Sequence, residues 1–183
     1  YRDMLVSANS LSDYISGAIL FDETIRQKTS DGSTFPDYLD KVGIIPGIKV
    51  DAGAKPFSSH PNEKITEGLD NLTERMEEYS SLGAKFAKWR AVITIGENIP
   101  SSACMLANSH ALARYASICQ EINIVPIVEP EVLMDGSHNI NKCFEVTNTM
   151  QSILFETLDK LDINFSGIIL KPNMITPGAS CVE

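Results

Sequence analysis

Gly167-Ile168-Ile169-Leu170-Lys171-Pro172-Asn173 is an apolar run that ends abruptly on a lysine and a proline. Such a run predicts a buried strand whose carboxyl end carries an amine. Three other stretches share the design. Pro46-Gly47-Ile48-Lys49-Val50-Asp51, Phe86-Ala87-Lys88-Trp89-Arg90 and Ile127-Val128-Glu129-Pro130-Glu131 each pass from apolar residues into charges. A single lysine at a strand end is ordinarily just the first solvated residue. Several strands that all deliver charge at the carboxyl end point instead to one polar site on a parallel sheet. Pro130 and Pro172 are expected to stop their strands at the charge, because proline cannot donate to a ladder. An amine buried at such a strand end is more easily kept neutral, and a neutral amine can attack a ketone and form a Schiff base.

Outward from these stretches, apolar strand candidates fall near residues 16–21, 44–50, 85–93, 124–129 and 166–171. Helical patterns separate them. A short one covers 37–42. Another covers 70–82, with Leu72, Met76 and Tyr79 at helical spacing and Gly83 as a stop. The stretch 102–121 follows Pro100 and reads as a long amphipathic helix. The stretch 139–161 follows Asp135-Gly136 and carries Cys143, Val146, Met150 and Leu154 on one stripe. Strand–helix alternation predicts a parallel sheet, and strands apolar on both faces predict burial on both sides. No GxGxxG or GxxxxGK[ST] motif follows a strand, which weighs against a nucleotide-binding open sheet. Charges spread over several strand ends favour a (β/α)8 TIM barrel, whose active site gathers residues from many strands. Five strand candidates fall short of a full barrel. Residues 1–183 are therefore expected to form a single domain, a partial barrel covering about five of the eight strands, although a complete small α/β domain would share the pattern.

Composition narrows the function classes. The chain is 43% hydrophobic and 21% charged, with a net charge of −9, ordinary for a soluble globular protein. An acidic balance speaks against a nucleic-acid surface, and an anionic substrate would need a local basic pocket. No apolar stretch is long enough to cross a membrane, and no basic-then-apolar leader opens the sequence. The four cysteines form no CxxC pair, and Cys104, Cys119 and Cys143 fall in helical patterns. Reduced thiols in a cytoplasmic protein are expected. His60, His110 and His138 are far apart and belong to no HExxH motif. Neither a metal nor a cofactor is expected.

Several stretches together resemble class I fructose-bisphosphate aldolase, the Schiff-base type. They are Ser16-Gly17-Ala18-Ile19-Leu20-Phe21-Asp22-Glu23-Thr24, the Pro-Gly-Ile-Lys-Val-Asp run, Phe-Ala-Lys-Trp-Arg, Leu112-Ala113-Arg114-Tyr115-Ala116, Val125-Pro126-Ile127-Val128-Glu129-Pro130-Glu131 and Leu170-Lys171-Pro172-Asn173-Met174. Their order and spacing follow the family over essentially the whole chain. The resemblance implies a role for each charged residue. Lys171 is the Schiff-base lysine, Glu129 the acid/base that helps dehydrate the carbinolamine, and Glu131 the carboxylate beside the reactive lysine. Lys88 holds charge near the reacting centre, and Arg90 and Lys49 line the phosphate-binding side of the cleft with it. It further implies phosphorylated ketose and triose substrates, a homotetramer in the complete protein, and work in glycolysis and gluconeogenesis.

Residue chemistry fits these roles. Glu129 and Glu131 are two apart and would share a face of a regular strand. Neighbouring carboxylates resist ionising together, so one could hold a proton for acid work. Lys88 and Arg90 are also two apart. Positive neighbours favour a neutral amine and attract a bisphosphate. An iminium at Lys171 would then be the electron sink for carbon–carbon cleavage.

Ser166-Gly167 stands where members usually carry Glu-Gly, and Ala52 stands where many carry lysine, a difference that resembles bacterial-type members. The family's first strand supplies a proton-shuttling aspartate. Its last two strands supply serine, arginine and backbone N–H groups to a phosphate site, and its tail supplies a tyrosine. These parts are expected to lie outside the 183 residues, so that the piece alone is inactive. Another Schiff-base lyase on a barrel, of deoxyribose-phosphate or transaldolase type, and a non-catalytic scaffold with an aldolase-like surface remain as alternatives.

Overall fold

A computed structural model describes residues 1–182. In chain order the elements are α1 (Arg2–Val6), β1 (Gly17–Leu20), α2 (Asp22–Ile25), α3 (Phe35–Lys41), β2 (Ile45–Lys49), β3 (Ala54–Pro56), β4 (Lys64–Thr66), α4 (Leu72–Ser81), β5 (Phe86–Ile93), α5 (Ser102–Glu121), β6 (Val125–Val132), α6 (Ile140–Lys160) and β7 (Ile169–Leu170). Five strands make one sheet in the order β1-β2-β5-β6-β7, and every neighbouring pair in it is parallel. Strands β3 and β4 form a separate antiparallel pair.

The helices begin where local chemistry satisfies their free N–H groups. Thr34 accepts from the Asp37 N–H at 3.2 Å, and Pro36 fits the first turn of α3. The helix therefore starts ahead of the expected 37. Ser101 caps α5 through the Cys104 N–H at 3.1 Å, and Asn139 caps α6 through the Lys142 N–H at 2.9 Å. Helix α4 starts later than expected, because Asn71 before it adopts a left-handed conformation with φ of 51°.

One side of the sheet is packed under the helices. Side chains alternate across a strand. On β5, Ala87, Trp89 and Ala91 face α5 and are fully buried. Trp89 stacks on Tyr115 of α5 with ring centroids 5.6 Å apart, and Leu112, Met150 and Leu154 complete the layer. Truncating a side chain such as Leu112 there would cost about 2–5 kcal/mol. Cys104, Cys119 and Cys143 are buried, and all four cysteines are free thiols; burial pushes the Cys104 thiol up to about 11.

The other side of the sheet departs from the expectation of burial on both faces. Ile19, Ile45, Val125 and Ile169 lie on it and are 48%, 50%, 39% and 49% exposed. Phe86 crosses this face over Gly47, where a Cβ would sit 2.3 Å from the ring. Only glycine admits that approach.

Two strand ends also differ. Pro130 does not stop β6, which continues to Val132. The missing N–H of residue 130 is directed away from β5, so the β5–β6 ladder passes it intact, with Ala91 beside Pro130 and Ile93 beside Val132. The expected strand 166–171 shrinks to Ile169–Leu170, because Phe165–Gly167 forms a single 3-10 turn. The β3–β4 pair and the short helices α1 and α2 were not expected. No helix among the described residues is long and apolar enough to cross a membrane.

Candidate active site

The face that carries Phe86 also carries the charges. Register sets Lys49 beside Lys88, Lys88 beside Ile127, and Arg90 beside Glu129. Ile127 pairs with Ile169, so continuing that register sets Glu129 beside Lys171. The four strands named in the sequence therefore deliver their polar residues to one end of one face. Every strand runs in the same direction and the charges sit at alternate positions, so they share a face; on β5 they fall at Lys88 and Arg90, ahead of Ala91-Val92-Ile93, and not at the strand's end as expected.

Glu129 is the centre of the cluster. Its side chain is 3% exposed, and it stands between two lysines. Lys171 Nζ donates to Oε1 in a short, charge-assisted contact. Lys88 Nζ lies 2.7 Å from Oε2. This contact is an ion pair without hydrogen-bond alignment, and Oε2 is buried. One carboxylate thus serves two amines, one on each oxygen.

Lys171 itself is not buried. Its side chain is 57% exposed, against 15% for Lys88. The expectation of a desolvated amine fails because β7 is the last strand of the sheet and nothing covers its outer edge.

Glu131 does not join Glu129. It pairs with Arg90, which donates to it from Nε as well. Among the described residues the two carboxylates share no hydrogen bond, so the proton-sharing dyad expected from their spacing is not built. Each has cations of its own. Glu131 stands one pleat beyond Glu129, and the carboxylate in contact with Lys171 is Glu129.

Lys49 lies at the rim. Its Nζ donates to Asp51 Oδ1 at 2.7 Å and to the Asp51 carbonyl at 2.8 Å, and it lies 5.7 Å from the centre of the Phe21 ring. Asp51 was quoted in the sequence but given no role. Its side chain is 3% exposed. Besides Lys49 it takes the Gly53 N–H at 3.1 Å and, weakly, the Arg90 N–H at 3.4 Å. The i, i+2 pairing of Lys49 with Asp51 was the available signal.

Lys49, Lys88, Arg90 and Lys171 outnumber the carboxylates they pair with, Asp51, Glu129 and Glu131, and give this surface a small positive excess on an acidic protein. Such a surface suits an anionic substrate, and an amine in contact with a buried carboxylate suits carbonyl chemistry. Among the described residues no group of three or more His, Cys, Asp or Glu is arranged to hold a metal ion.

Known proteins share both sequence and fold with this chain. The family model described as fructose-bisphosphate aldolase class-I matches residues 1–183. A probable fructose-bisphosphate aldolase class 1 of Xanthomonas axonopodis pv. citri is 60% identical over 183 residues, covering 100% of this chain and 55% of the relative. The cytosolic fructose-bisphosphate aldolase 6 of Arabidopsis thaliana is 47% identical over 182 residues, covering 100% of this chain and 51% of that protein. The structure of fructose-bisphosphate aldolase from Plasmodium falciparum, in complex with TRAP and a small-molecule inhibitor, superposes with a TM-score of 0.97 at 45% identity. It covers 100% of this chain and 53% of that one. The chain spans about half the length of the curated relatives it matches. Its parallel α/β sheet is the corresponding part of an aldolase (β/α)8 barrel.

Proposed function

Because this chain belongs to the class I fructose-bisphosphate aldolase family, we propose that its complete protein reversibly splits fructose 1,6-bisphosphate. The products are dihydroxyacetone phosphate and glyceraldehyde 3-phosphate. The observation that carries this reading is the placement of Lys171 and Lys88 on the two oxygens of Glu129, across three successive strands of the sheet.

In this reading Lys171 is the nucleophile. Its neutral amine attacks C2 of the open-chain ketose, and the nitrogen passes its extra proton to the new alkoxide, giving a carbinolamine. Glu129 in its protonated form gives a proton to the C2 hydroxyl, which leaves as water while the nitrogen lone pair forms the iminium. Glu129, now a carboxylate, is neutralised by Lys88. A base removes the proton of the C4 hydroxyl. The C3–C4 bond breaks, its electron pair moves to the iminium to give an enamine, and the C4 fragment leaves as the aldehyde. Protonation of the enamine at C3 and hydrolysis by water release the ketone and restore Lys171. Lys49 and Arg90, with Lys88, attract the phosphates. Glu131 holds Arg90 in place and so acts on the phosphate side of the cleft.

The complete protein then works as a cytoplasmic homotetramer in glycolysis and gluconeogenesis. The likeness to cytosolic aldolases supports the location. Borohydride trapping of the complete protein with dihydroxyacetone phosphate, followed by peptide mapping, tests the reading. A covalent adduct on Lys171, lost in Lys171→Met with the circular dichroism unchanged, is the expected result. No adduct, or one on another residue, would overturn it.

A further inference from the structure

Lys171 is tied to the sheet by one main-chain rung, its N–H donating to the Val128 carbonyl at 2.9 Å. Alternation along a parallel ladder directs the next rung from the N–H of residue 130 to the carbonyl of Lys171. Residue 130 is proline and has no N–H. Continued register sets Pro130 beside Pro172, whose own missing N–H would be directed away from β6, so the lost rung is the one from residue 130. The ladder between β6 and β7 therefore breaks just where Lys171 must be aimed.

Asn173 bridges the break. Its Oδ1 accepts from the Val132 N–H at 3.1 Å, where a regular ladder would have used the main-chain carbonyl of residue 173. Its Nδ2 donates to Thr147 Oγ1 at 3.1 Å and to the Met174 carbonyl at 3.0 Å. Thr147 belongs to α6 and is 4% exposed. One side chain thus fastens the chain after Lys171 to the sheet on one side and to the helix layer on the other. The same segment is closed further on by the Gly178 N–H donating to the His138 carbonyl at 2.7 Å.

We infer that Asn173 is a positioning residue for the Schiff-base step. It sets the direction in which the chain leaves β7, and so keeps Lys171 Nζ against Glu129. The inference rests on the reading of Lys171 as nucleophile. Asn173 donates to no active-site group. It acts by holding the chain to β6 one rung beyond the one that Pro130 removes. A displaced nucleophile loses much of the rate that fixed geometry supplies, and shifts on the order of 1 Å can cost about a hundredfold.

The test separates rate from amount. The complete protein and its variants are mixed with dihydroxyacetone phosphate and borohydride, and both the rate and the final extent of labelling are recorded. Asn173→Ala should label to the wild-type extent, at a rate roughly tenfold or more lower. A loss of folded protein would reduce the extent instead. Asn173→Asp should recover most of the rate, because its carboxylate can accept from both the Val132 N–H and the Thr147 hydroxyl. Thr147→Val, which cuts one link without touching Asn173, should slow labelling by a smaller factor. Wild-type rates in Asn173→Ala would overturn the inference. Should that variant not fold, a wild-type rate in Thr147→Val would overturn it. Failure of the underlying reading shows separately, as a wild-type protein that takes no label on Lys171.

Discussion

Lys88 and Lys171, delivered by strands that are not neighbours in the sheet, meet on the two oxygens of a single carboxylate. The strand between them supplies that carboxylate, Glu129, and the sheet register fixes all three. One buried carboxylate is the partner of both amines and is also placed to pass protons to a hydroxyl leaving from Lys171.

Glu129→Gln should therefore lower cleavage by about 10²–10⁴-fold, the usual contribution of a placed proton-transfer group. The measurement is kcat in the complete protein, with circular dichroism to confirm the fold. A kcat within a few-fold of wild type would remove Glu129 from proton transfer.

Lysine in this scheme does the work of an electrophilic catalyst once it becomes an iminium. Cleavage should then be unchanged in excess EDTA. A large loss restored by added zinc would be incompatible with Lys171 in that role.

Asp51→Ala should act on binding and stability together. It removes the acceptor of Lys49 Nζ and of the Gly53 N–H, and leaving such groups unpaired costs about 1–3 kcal/mol. The urea midpoint should fall, and KM for the bisphosphate should rise more than kcat falls, given the proposed role of Lys49 on the phosphate side. An unchanged KM would detach Lys49 from substrate binding.

Much of this was legible in the chain, and the reasons are local. Strands β2, β5 and β6 announce themselves as apolar runs, and α5 and α6 as long periodic patterns with caps at Ser101 and Asn139. Lys171, Glu129 and Lys88 stood out because charge inside or just after an apolar run is conspicuous, although Lys88 lies near the start of β5 and not at its end. What was hidden depends on pairing between distant segments. Glu129 and Glu131 looked like a dyad, yet the Arg90 guanidinium claims Glu131 from the next strand. Pro130 looked like a strand stop, but a proline interrupts only the ladder its N–H would face. The exposure of Lys171 depends on what lies beyond β7, and no residue near it signals that. Asn173 was visible as part of a motif, whereas its bond to Val132 could be seen only once β6 ran past its proline.

Asp22 links β1 and α2 to α4. Its carboxylate accepts from Tyr79 Oη at 2.9 Å and from Arg26 at 3.0 Å. The Tyr79 hydrogen bond holds the carboxyl below its ordinary value, opposed in part by burial and helped by Arg26. A depressed carboxylate stabilises the fold above its unfolded-state value, and that contribution is lost as pH falls through the folded-state value. The stability gap between wild type and Asp22→Asn should be full at neutral pH and close as pH drops below the ordinary aspartate value of 3.8. Urea denaturation across that range measures it. A gap that widens on acidification would contradict the linkage.

The 183-residue chain expressed by itself should associate and lack cleavage activity. Strands β1 and β7 each have one neighbour in the sheet, which leaves two open edges, and open edges invite pairing with other chains. The uncovered face adds Ile19, Ile45, Val125 and Ile169, each 39% or more exposed. Contiguous apolar surface of this kind marks a place that another segment or chain covers. Light scattering coupled to gel filtration should show oligomers or aggregates, an apolar dye should bind strongly, and heating should give no single cooperative transition. A monodisperse monomer with a sharp melt would mean that the uncovered face is stable in water, and activity in that monomer would mean that the Glu129 cluster suffices without further strands.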